Sequence, residues 1–90
     1  MSEMNGDHQW DERFESLVRA ALGSLPADQI LAADLDLPRA GLDSLAVVEL
    51  LIQIEDAYQL IIPDELLTFA TFATPGALWR AVAGLSAEVA

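Results

Sequence analysis

The chain has 90 residues, with fifteen Asp and Glu, four Arg, no Lys and no Cys, for a formal charge of −11. One small domain with a thin core follows; disulfides and thiolate metal sites are excluded; and the charge repels nucleic acid and anionic membrane surfaces while attracting basic patches on other proteins. No apolar run reaches the roughly 20 residues that span a bilayer, the N-terminus lacks the basic and apolar regions of a secretory leader, and the single histidine, His8, lies too near the chain start for Ser-His-Asp chemistry, so a cytoplasmic, non-catalytic protein is expected.

Residues 1–8 are polar and read as a flexible N-terminus, leaving 9–87 as the folded domain. From Trp10 to Gly23, the residues Trp10, Phe14, Leu17, Val18, Ala21 and Leu22 recur at helical spacing and form one apolar stripe. Asp11, Glu12 and Glu15 suit the positive end of that helix dipole, and Gly23 suits its stop. Residues 24–42 carry Pro26, Pro38 and Gly41 and read as a long connection with at most a short turn of helix. Leu31, Leu35, Leu37 and Leu42 are expected to pin this connection to the core.

Residues 44–59 contain neither Gly nor Pro and form the strongest predicted helix, with Asp43 at the N-cap position. Pro63 biases Ile62 towards extended backbone, so the helix ends before it. Residues 64–70 suggest a short third helix. Thr74-Pro75 then opens a fourth, threonine as cap and proline at the first helical position, with Leu78, Ala81, Val82 and Leu85 as its buried stripe. The expectation is an all-α four-helix bundle with a long first loop and a short third helix.

On a helical wheel the segment from Ser44 is apolar over a wider arc than one buried face requires. Val47, Leu50, Leu51, Ile54 and Tyr58 form a core-facing set. Leu45, Val48 and Ile52 form a second edge, flanked by the carboxylates of Glu49, Glu55 and Asp56. An apolar strip rimmed by acid suits a partner with an apolar groove and a basic rim. The alternative is that these three side chains also pack inward, against the long loop.

Gly41-Leu42-Asp43-Ser44-Leu45 matches the modification motif of acyl and peptidyl carrier proteins. The following VVELLIQIEDAY resembles that family's second helix, IIP at 61–63 its link to the third, and FATPGALW at 72–79 the entry to its fourth, so the resemblance spans roughly residues 10–86. It implies that a phosphopantetheinyl transferase attaches 4′-phosphopantetheine from coenzyme A to Ser44, the domain being a substrate of that reaction. Taken alone, Ser44 reads more readily as an ordinary capping serine, and Gly41 as backbone freedom before a turn.

The resemblance further implies that Asp43, Leu45, Val48, Glu49, Ile52, Glu55 and Asp56 meet partner enzymes in turn: the transferase, a loading acyltransferase or adenylating ligase, and a downstream ketosynthase or acyl or aminoacyl transferase. Leu42 looks more like polyketide carriers than fatty-acid or peptidyl ones. The expected role is a monomeric, free-standing carrier in polyketide or related antibiotic biosynthesis, its cargo an acyl or aminoacyl thioester. Two alternatives remain: an unmodified acidic interaction module, and a discrete aminoacyl carrier. Paired carboxylates such as Glu55-Asp56 do not face each other on a helix, and the calcium loop that Asp34-x-Asp36 would begin has Leu45 where its closing glutamate is needed.

Overall fold

Each helix of the bundle starts where a short polar side chain can satisfy the free amides of a first turn. The structure is a computed structural model that describes residues 10–23, 25, 26 and 28–89; the expected flexibility of residues 1–8 lies outside the described residues. The elements among these are α1 (Glu12–Leu22), α2 (Leu37–Ala40), α3 (Ser44–Tyr58), a 3-10 turn (Asp64–Leu66) and α4 (Pro75–Val89). All are helical, as the apolar periodicity predicts.

Helix α1 begins two residues later than the apolar stripe suggests, because Asp11 leaves the helix to cap it, accepting from the Phe14 amide at 2.8 Å. Trp10 therefore lies outside α1 but is still buried, its indole donating to Glu15 at 2.9 Å. Phe14, Val18 and Leu22 face the core, and Gly23 ends the helix at φ 75°, a conformation that costs glycine little. Trp10, Phe14, Trp79 and Tyr58 follow one another with ring centroids 5.7, 5.1 and 6.3 Å apart, so an aromatic column joins α1, α4 and α3.

The long connection is held at three places. Arg19 donates to the carbonyls of Pro26 and Gln29 while Glu15 holds its guanidinium at 3.0 Å. Leu31, Leu37 and Leu42 are buried, whereas Leu35 is only half-buried. Gly76 donates to the Ala33 carbonyl at 2.9 Å, and Leu37 to that of Ala73 at 2.9 Å. A Cβ on Gly76 would lie 3.0 Å from that carbonyl oxygen, so the close approach needs glycine.

The short third helix expected over 64–70 is present but shorter than expected. The helical part is the three-residue turn Asp64–Leu66, after which the chain runs through bends to α4. Thr68 explains the break: its hydroxyl accepts from the Thr71 amide at 3.2 Å, a local bond that competes with the helical ladder. α4 opens as expected, with Thr74 accepting from Ala77 at 3.2 Å and Leu78 and Val82 fully buried.

Candidate functional site

Three residues place Ser44. Gly41, at φ 122°, turns the chain out of α2, which an L side chain rarely permits. Leu42 then drops into the core, its amide returning to the Leu37 carbonyl at 3.0 Å. Asp43 caps α3, its carboxylate accepting from Ala46 at 2.9 Å and its carbonyl from Val47 at 2.9 Å. Ser44 is thus the first residue of α3, exposed, and among the described residues no group hydrogen-bonds its hydroxyl. The amides of Ser44 and Leu45, at the positive end of the helix, take no helical partner. Asp43, and not Ser44, is therefore the capping residue.

Leu45, Val48 and Ile52 are 68, 50 and 58 % exposed, so they are not packed inward against the long loop. Glu49 and Asp56 are exposed beside them. Glu55 differs: it is half-buried, and its carboxylate accepts from the Ile62 amide at 2.9 Å, fastening the chain beyond α3. That hold matters because α3 ends on Gln59 in the left-handed region, at φ 53°, with no glycine to ease it. Leu60 and Ile62 are buried just after it.

The core-facing set divides. Leu50 and Ile54 are fully buried, while Val47, Leu51 and Tyr58 are half-buried. Val47 and Leu51 instead form one wall of an open cleft of about 760 Å³, together with Ser44, Asp43 and Val48. Leu67, Thr68, Phe69 and Phe72 form the opposite wall, and Pro38 and Leu42 complete it. This cleft is absent from the wheel-based expectation. Its signal lies in the apolar run from Leu66 to Phe72, which reads as a helix with a core face but folds as an irregular wall.

At the far end of α3, the Tyr58 hydroxyl donates to Asp11 at 2.6 Å and Arg13 donates to the Ala57 carbonyl at 2.7 Å. Burial, and then the hydrogen bond to Asp11, hold the Tyr58 phenol well above its ordinary pKa of 10.0. The N-terminal end of α1 is thereby tied to the C-terminal end of α3, opposite Ser44. No helix among the described residues is long and apolar enough to cross a membrane.

A family model described as phosphopantetheine attachment site matches residues 12–82, which include the whole of α1, α2 and α3 and the first half of α4. No curated protein matches the chain. The residues at the start of α3 fit such a group: an exposed hydroxyl for the phosphodiester and free amides at a helix N-terminus beside it. The chain belongs to the phosphopantetheine-attachment family and is a carrier protein, its cofactor a covalently attached 4′-phosphopantetheine.

Proposed function

We propose that Ser44 is the attachment residue and that the domain presents a carried intermediate to successive enzymes of a polyketide or related natural-product pathway. The observation that carries this reading is the hydroxyl of Ser44, exposed at the first position of α3 and without a hydrogen-bond partner among the described residues, inside Gly41-Leu42-Asp43-Ser44-Leu45. In the transferase reaction the Ser44 oxygen bonds to phosphorus of coenzyme A, adenosine bisphosphate leaves, and the hydroxyl proton passes to the transferase. The bound arm supplies the thiol that this cysteine-free chain lacks and that holds the cargo as a thioester.

The chain's own residues do the rest. Asp43 spends its carboxylate on the cap, so the hydroxyl beside it stays available. Leu45, Val48 and Ile52 offer partner enzymes an apolar strip, with the charges of Glu49, Asp56 and Asp43 around it. Glu55 adds charge at the edge of that face while it fastens Ile62. A strip of this kind gives brief, specific encounters, and the −11 charge speeds those with basic partners. The same charge repels further copies of the chain, which supports a monomer. The partners so implied are a phosphopantetheinyl transferase, a loading acyltransferase or adenylating ligase, and a downstream ketosynthase or acyl or aminoacyl transferase, all in the cytoplasm.

Incubation with coenzyme A and a promiscuous transferase, followed by intact-mass measurement, tests the central point. One phosphopantetheine of added mass is expected for the wild type and none for Ser44→Ala, whose thermal unfolding should match the wild type. A full mass gain in Ser44→Ala would overturn the assignment.

A further inference from the structure

The exposed apolar row on α3 does not end with the helix. We propose that it continues onto Ile61, that Ile61 is a further contact for the phosphopantetheinyl transferase acting on Ser44, and that Glu55 positions it; this rests on the α3 strip being a partner surface. Leu45, Val48, Ile52 and Glu55 share one face of α3, each three or four residues from the last. The Glu55 carboxylate accepts from the Ile62 amide at 2.9 Å. Covalent geometry then keeps the Ile61 Cα within about 6 Å of that carboxylate oxygen. Ile61 is thereby held beside the end of the strip.

The backbone turns this side chain outward. The amides of Gln59 and Leu60 donate to the Glu55 carbonyl, and that of Ile62 to its carboxylate. One residue therefore fixes the exit of the chain from α3. The chain then runs without helix from Leu60 to Pro63, and successive side chains of extended backbone point opposite ways. Leu60 and Ile62 are buried, and Ile61 between them is 80 % exposed. The surroundings are acidic, as they are along the strip. Asp56, Asp64 and Glu65 are exposed, and no cation pairs with them among the described residues. An apolar side chain rimmed by carboxylates suits the same kind of partner, an apolar groove with a basic rim.

The span fits one enzyme. From Ser44 to Glu55 is about 16 Å of helix rise. A standard interface covers about 800 Å² on each partner, equivalent to a disc about 32 Å across. Centred on the strip, that disc takes in both Ser44 and Ile61. A transferase that receives Ser44 in its active site and lays its groove along α3 meets Ile61 at the edge of the same contact. Ile61 lies far from the reacting hydroxyl there, so it contributes to binding and not to the chemical step.

The full chain is varied in concentration against a promiscuous phosphopantetheinyl transferase with saturating coenzyme A, and KM and kcat are taken from the rate of mass gain. Ile61→Ser should raise KM about fivefold, as expected when part of an isoleucine side chain loses its burial. Its kcat should stay within about twofold of wild type and its thermal unfolding should be unchanged, the effect of an exposed residue that acts in binding alone. Glu55→Ala should raise KM comparably and shift the backbone amide signal of Ile62. Glu55→Gln keeps an acceptor oxygen for that amide and should recover most of the loss in both readouts. Combining Glu55→Ala with Ile61→Ser should raise KM no further than the worse single variant, because both remove one contact. Fully additive effects would overturn the positioning role of Glu55. Unchanged KM in Ile61→Ser, alongside a raised KM in Ile52→Asp, would overturn the Ile61 contact and leave the strip standing. Unchanged KM in both Ile61→Ser and Ile52→Asp would overturn the strip as the transferase surface and this inference with it.

Discussion

Ser44 is chemically an ordinary serine, and its neighbours make it available. A serine one position earlier would cap the helix and tie up its hydroxyl. Asp43 takes that task, leaving Ser44 within the first turn with its hydroxyl exposed and, among the described residues, unbonded. Asp43→Ala should cost about 1 kcal/mol of stability through loss of the cap. Asp43→Asn keeps a capping oxygen and should unfold within a few tenths of a kcal/mol of wild type in urea, while the transferase modifies it more slowly if the charge is recognised. Equal modification rates for Asp43→Asn and wild type would reduce Asp43 to a cap. Two adjacent leucines separate packing from cleft. Leu50 is fully buried, so Leu50→Ala should destabilise by about 2–5 kcal/mol. Leu51 is half-buried on the cleft wall, so Leu51→Ala should cost clearly less in the same denaturation series.

Helix α3 serves three surfaces at once: Leu50 and Ile54 towards the core, Val47 and Leu51 towards the cleft, and Leu45, Val48 and Ile52 towards solvent. That is why its apolar arc is too wide for one buried face. Glu49→Arg and Ile52→Asp change only the exposed surface, so both should slow transfer to partner enzymes several-fold while leaving thermal unfolding unchanged. Transfer kinetics equal to wild type in both variants would eliminate the strip as a partner surface. The segment 64–70 shows the opposite case. Its apolar residues read as helix, but Thr68 bonds the Thr71 amide and the segment becomes a wall. A threonine hydroxyl offers the backbone a local alternative to the ladder, and residue counting along the chain does not register that choice.

Across the molecule, the two ends of α3 do different work. The Ser44 end is open, and the Tyr58 end is locked to α1 through Asp11, Arg13 and the aromatic column. The lock carries a pH signature. The folded state holds the Tyr58 pKa above its ordinary value of 10.0, so above that pH the unfolded chain binds fewer protons than the folded one. The Tyr58 contribution to stability is therefore complete below about pH 10 and is lost as pH climbs towards the raised value. Unfolding measured from pH 9 upward should show this decline, and Tyr58→Phe should flatten it (pH 9 being about one unit below the ordinary tyrosine value). Much of the rest was legible along the chain. The helical class, the caps at Asp43 and Thr74, the buried leucines 31, 37 and 42, and the modification motif all follow from the residue order, because caps, turns and helical periods depend on neighbours within a few residues. Which edge of α3 meets water, how Glu55 is drawn back to hold Ile62, and the existence of a cleft opposite Val47 and Leu51 depend on what lies across space. Burial and cavities arise between segments distant in the chain, where spacing along one helix carries no information.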